Sequence, residues 1–294
     1  MRRIRAEKGI GTRRRKERPH DMAWTSPLLY ERLTWPEVRR AVSEDRVCLI
    51  PAGTLEDHGP HLPIDCDTRI ASEICRRAAT ELEDQVVLLP PLTHGYTPHH
   101  MDFPGPITIG WKTFVDYAVD VGTSLARHGF KRILFVNGHG SNIPLVDMAA
   151  RLVGLQHPDV LSAGVFYLTS EEGMRTIAEV RESGRGGMGH ACELETSIYL
   201  AIDPDAVSMD KAVDENSFPE GRHAWMDWTD GPLHIMPWWN AISHTGVHGE
   251  PTKATAEKGR VLLDAAVKEC VEFVHELKEK PLPVRWEPSE VPPA

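Results

Sequence analysis

The chain has 294 residues, 41% hydrophobic and 26% charged, the balance of a globular protein long enough to bury a full core. Its 33 basic and 43 acidic residues leave a net charge of −10, which argues against a general nucleic-acid binder, because phosphate affinity needs a concentrated basic face. No apolar run approaches the roughly 20 residues that cross a bilayer, and five scattered cysteines without a CxxC pair suggest neither a disulfide framework nor a zinc knuckle, so a cytoplasmic protein with no membrane partner is expected.

Residues 1–21 carry a dense cationic patch, Arg13-Arg14-Arg15-Lys16, without apolar periodicity, and read as a disordered extension. From Met22 onward the apolar spacing predicts a helix over 35–42, a strand over 46–51, a helix over 68–83 and a strand over 86–89. A helix over 111–128, a strand over 133–136, a helix over 142–155 and a strand over 161–168 follow, then helices over 192–202 and 250–279. Strand-length runs alternating with amphipathic segments predict one α/β domain over 22–280, a three-layer α/β/α sandwich with a mostly parallel central sheet. Residues 204–248 are rich in Trp, His, Gly and Pro with little periodicity and read as a lid or interface region. Residues 281–294 read as a proline-rich tail.

In open α/β sheets ligands bind beyond the carboxyl ends of the strands, and the polar clusters fall there. Glu56 and His58 follow the first predicted strand. In an extended stretch residues two apart point to one side, so both reach one site. Asp67 lies where a loop enters a helix, and taken alone it also reads as an N-cap carboxylate. His139 stands on a glycine turn after the strand over 133–136, and His190 precedes Glu193 and Glu195 on a helix, of which one faces the site. Carboxylates mixed with imidazoles and no thiolate suit zinc, manganese or iron.

These clusters, in this order, resemble the creatininase family. The resemblance is carried by Gly53, Glu56, His58-Gly59-Pro60-His61-Leu62-Pro63 and Asp67, by Phe103-Pro104-Gly105, by the Asn137-Gly138-His139-Gly140-Ser141-Asn142 turn and by His190-Ala191 with Glu195-Thr196-Ser197. It spans residues 33–278 and implies two divalent metal ions per chain. Asp67 would bridge them, Glu56 and His139 would complete one site, and His58 and Glu195 the other. The resemblance further implies a metal-bridging hydroxide as nucleophile and His190 as general acid/base, with Glu195 beside it. His61, His94, His100, Ser141 and Trp238 are expected to face substrate. The resemblance also implies a homo-oligomer, commonly a hexamer.

Creatininases carry an aromatic residue and a metal-binding glutamate in the turn after the glycine-flanked histidine; here those places hold Gly140 and Ser141. The pocket is therefore not expected to be shaped for creatinine. The expected reaction is hydrolysis of an amide or formamide C–N bond in a small, cyclic substrate. The alternatives are opening of a cyclic ketone or lactone, and cleavage of a modified precursor peptide.

Overall fold

Strand β1 (Val47–Ala52) is buried along its whole length. Val47 and Leu49 point to one face and Cys48, Ile50 and Ala52 to the other, and each set enters a separate apolar core, so the strand is stable only between two layers of helix. In the computed structural model, which describes residues 28–229 and 231–285, this is the arrangement. Strands β1, β2 (Val86–Leu88), β3 (Arg132–Asn137) and β4 (Leu161–Phe166) form a parallel sheet in the order β2-β1-β3-β4. The expectations for residues 1–21, and for the tail beyond residue 285, lie outside the described residues.

One layer contains α1 (Trp35–Ser43), α3 (Trp111–His128) and α4 (Ile143–Gln156). Their Ala41, Phe114, Ala118, Val146 and Ala149 pack on Ile50, Ile133 and Phe135. The other contains α2 (Cys66–Leu82), α6 (Glu193–Ile202) and α7 (Ala256–Glu279), with α5 (Glu171–Val180) at its edge. There Ile70, Ile74, Ile198, Leu262 and Leu263 meet Leu49, Leu134 and Val136. Local signals set the helix ends: Thr34 and Glu37 form a capping box at α1, and Gly129, at φ 107°, closes α3 in the left-handed region.

Among the differences from the sequence expectation are two boundaries and one additional helix. Strand β4 stops at Phe166 instead of 168, because Leu168 adopts φ 56° and donates its N–H to the buried carboxylate of Glu269. The helix expected from residue 250 begins at Ala256: Pro251–Lys253 form a 3-10 turn, and the Thr255 side chain accepts the Lys258 N–H to start α7. Helix α5 was not anticipated. It is short and carries Gly173 in its first turn, and it starts where the Ser170 hydroxyl accepts the Gly173 N–H. Two further strands, β5 (Met188–His190) and β6 (His248–Gly249), make an antiparallel pair too short to show a period.

Parallel pairing places the exits of β1 and β3 side by side, with Ala52 opposite Asn137. Gly138 then donates its N–H to the Ala52 carbonyl at 2.8 Å. A Cβ on Gly138 would lie 2.3 Å from the backbone oxygen of Asp67, so only glycine lets the turn after β3 close onto the first turn of α2. No helix among the described residues is long and apolar enough to cross a membrane.

Region 204–248 is held by its own small core of Phe218, Ala224, Met226, Trp239 and Ile242. The Glu215 carboxylate ties it down, accepting hydrogen bonds from Ser243 Oγ and from the N–H groups of His244 and Thr245. This loop packing turns Trp239 inward, 3% exposed, and leaves Trp238 56% exposed.

Gly138→Ala should destabilise the protein by about 1–3 kcal/mol, the range for forced overpacking. Gly140→Ala, whose Cβ would meet nothing within 4 Å, should stay within about 0.5 kcal/mol of the parent, as surface substitutions do. Urea unfolding of both variants checks this, and equal losses would refute the close-approach argument.

Candidate metal centre

Five side chains converge beyond the carboxyl ends of the sheet. Glu56 and His58 stand on the loop after β1, Asp67 in the first turn of α2, His139 after β3 and Glu195 in the first turn of α6. All are at most 6% exposed. His58 Nε2 lies 3.1 Å from Asp67 Oδ1 and 3.9 Å from Glu195 Oε1. His139 Nδ1 lies 3.2 Å from Glu56 Oε1 and 3.0 Å from Asp67 Oδ2. The two oxygens of Asp67 thus address two different imidazoles. Each donor set, Glu56–Asp67–His139 and His58–Asp67–Glu195, has its ligand atoms within 4.8 Å of one another.

Backbone carbonyls orient the rings. A carbonyl only accepts, so the ring nitrogen facing it carries the proton, and the other nitrogen is left to face the cluster. His58 donates from Nδ1 to the Glu56 carbonyl at 3.3 Å, His139 from Nε2 to the Tyr96 carbonyl at 3.1 Å, and His190 from Nε2 to the Asp57 carbonyl at 2.7 Å. The nitrogens so exposed, His58 Nε2, His139 Nδ1 and His190 Nδ1, all point toward Glu56 or Asp67. His58 Nε2 and Asp67 Oδ2 are buried without a hydrogen-bond partner, a costly state for polar atoms unless a cation satisfies them. The residues therefore fit a divalent metal.

The electrostatics agree. Burial opposes ionisation of Glu56, but the imidazoles of His100, His139 and His190 outweigh it and hold the carboxyl well below its ordinary range. Burial likewise opposes a charged His139, yet Glu56 and Asp67 raise that group to about 10. A cluster that retains protons this strongly has a high affinity for positive charge, and a metal competes for the same donors.

A cavity of about 250 Å³ opens over the cluster. Its floor is Glu56, Asp67, His139, His190 and Glu195; its walls include Phe166, Met226, Trp228 and Trp239. No lysine or arginine is among the described residues that line it.

The residues expected to face substrate divide. His100 and Ser141 line the cavity. His61 is buried away from it, with Nε2 at 2.9 Å from Thr196 Oγ1, and His94 is exposed beside Thr93. Trp238 faces outward and its neighbour Trp239 takes the inward place, stacked on His100 at 4.4 Å between ring centroids and edge-on to His190 at 4.8 Å. Sequence reading also missed Thr97, whose hydroxyl donates to Glu56 Oε2, and Asp57, whose Oδ1 accepts from His100 Nδ1 at 2.7 Å. Asp57 offered a signal, standing between two candidate ligands. Thr97 offered none.

Residues 31–274 match the family model described as creatininase, creatinine amidohydrolase. The mycofactocin precursor peptide peptidase of Mycobacterium ulcerans (strain Agy99) is 31% identical over 269 residues, 87% of this chain and 88% of that one. The creatinine amidohydrolase of Pseudomonas putida is 27% identical over 262 residues, 83% of this chain and 95% of that one. A mutant creatininase of the Zn-Zn type shares the fold with a TM-score of 0.71 at 25% identity, over 85% of this chain and 97% of that one. The sequence order, the parallel sheet and the buried His/Glu/Asp clusters agree with these likenesses: the chain belongs to the creatininase family of metal-dependent amidohydrolases.

Proposed function

We propose that this protein hydrolyses an amide C–N bond with two divalent cations, one held by Glu56, Asp67 and His139 and the other by His58, Asp67 and Glu195. The observation that carries this reading is Asp67, whose Oδ1 and Oδ2 lie 3.1 and 3.0 Å from imidazole nitrogens of opposite donor sets. Paired cations supply Lewis acidity there, polarising a carbonyl and lowering the pKa of water toward neutrality.

The chain's own groups handle the proton. His190 is locked by the Asp57 carbonyl with Nδ1 turned toward Glu56 Oε1 at 3.6 Å. Burial, with the imidazoles of His58 and His100, lowers its pKa well below the ordinary histidine range, which keeps Nδ1 unprotonated and able to accept. His190 Nδ1 then takes the proton of the attacking water and delivers it to the departing nitrogen as the C–N bond breaks. Trp239, packed on His100 and His190, shields this transfer from bulk water.

A peptide amide suits the cavity better than a small ring. A peptidase is among the relatives at 31% identity, against 27% for a creatinine amidohydrolase. Gly140 and Ser141 line the cavity where the resemblance leads one to expect an aromatic wall and a carboxylate. The space is bounded instead by Phe166, Met226, Trp228 and Met236, with exposed Ile143 and Met236 continuing the apolar surface outward. An extended substrate can run across such a mouth. The absence of lysine and arginine from the described lining disfavours a phosphorylated nucleotide.

Zinc- or manganese-loaded protein should release an amine from short apolar peptides and leave creatinine and carbocyclic ketones intact, as read by product mass. Chelation should abolish turnover and lower the melting temperature, since bound metal stabilises the folded state. Asp67→Ala should lose metal from both positions. His190→Ala should keep the metal and lose about 10²- to 10⁴-fold in kcat, the usual share of a positioned acid/base. Full activity after metal removal would overturn the two-cation reading, and ketone hydrolysis without amine release would overturn the amide reading.

A further inference from the structure

We propose that Glu56, His99 and His100 form a third cation-binding position beside the pair, with Asp57 fixing the ring of His100. The proposal goes beyond the paired-cation reading, but it presumes that Glu56 already serves one of those two ions.

The chemistry begins with His100, which is fully buried. Its Nδ1 donates to Asp57 Oδ1 at 2.7 Å, and its Nε2 has no hydrogen-bond partner. A carboxylate behind one ring nitrogen, with the other turned to an inner carboxylate, is how proteins orient histidines that bind metal. His100 Nε2 faces Glu56 Oε2 at 3.9 Å, a gap too long for a hydrogen bond and wide enough for an ion between them.

His99 supplies the third donor. Its ligand nitrogen, the His100 nitrogen and a Glu56 oxygen all lie within 4.8 Å of one another, and all three residues are buried. The His99 Nε2 contact to Ser141 Oγ is a loose 3.3 Å. Because residue 141 is a serine, its short side chain leaves the His99 ring room beside His139, with centroids 6.3 Å apart and planes 17° from parallel.

Glu56 is divided to match. Its Oε1 turns toward His139 and His190, whereas Oε2 turns toward His100 and the Thr97 hydroxyl. One carboxylate thus serves two positions, as Asp67 serves two on its other side. Trp239 stacks on the far face of His100 at 4.4 Å and 25°, so the ring cannot swing out of the cluster without displacing the tryptophan.

Charge sets the order of filling. Glu56, Asp57, Asp67 and Glu195 carry four negative charges when ionised, which two divalent ions balance. A third ion leaves net positive charge in a cavity whose described lining has no lysine or arginine. It therefore binds last and most weakly, and it is held best when an anion accompanies it.

The test is equilibrium dialysis of the full-length protein against rising zinc, with metal counted by mass spectrometry, and a parallel cobalt(II) titration followed by absorption. The parent should take up two equivalents and then a weaker third. His100→Gln and His99→Gln should each lose the third equivalent and its cobalt band while keeping the first two. An anomalous difference map of zinc-soaked parent crystals should show a peak between Glu56, His99 and His100. Saturation of the parent at two ions would overturn the proposal, as would a third equivalent that survives in both variants. Fewer than two ions in the parent would instead strike the paired-cation reading on which this position depends.

Discussion

Asp67 is shared between two imidazoles that come from different β-α units, and the rest of the centre is arranged around that sharing. One oxygen faces His58 from the loop after β1 and the other faces His139 from the turn after β3. A carboxylate serves both only if it sits between the two strand exits. The register that sets Ala52 opposite Asn137 brings those exits together, and the first turn of α2 carries Asp67 into the space between them. Gly138 makes the last approach possible, because any side chain there would collide with the Asp67 backbone. The centre is thus a product of sheet packing and has no local counterpart in the unfolded chain.

The parts of this architecture readable in the sequence were those with a period or a punctuating residue. The four strands and the helices between them showed as alternating apolar runs, because β1 and residues 133–136 of β3 are apolar and buried on both faces. Glu56, His58 and His139 were legible as side chains of metal-binding type just beyond strands, whereas Asp67 also read as an N-cap carboxylate and Glu195 stood beside Glu193, and only the family resemblance chose between those readings. Chemistry at a strand end is visible in one dimension.

What escaped was set by tertiary contact. β5 and β6 are three and two residues long and exist because they pair with each other. Trp238 was expected to face substrate, but the small core of Phe218, Met226 and Ile242 takes in its neighbour Trp239 and leaves Trp238 outward. His61 was expected to face substrate on the strength of the family resemblance, but the fold points it at Thr196. The Glu269 carboxylate that ends β4 comes from α7, about a hundred residues downstream.

The three rings locked by main-chain carbonyls have a consequence for how such a scaffold diversifies. The acceptors at Glu56, Tyr96 and Asp57 are peptide oxygens, which no side-chain substitution removes. The orientation of the imidazoles is therefore insulated from most point changes, whereas the walls formed by Phe166, Trp228 and Met236 have no such protection. The wall side chains on this fold can be replaced while the cluster-facing imidazole nitrogens keep their aim, an evolutionary division of labour written into the backbone.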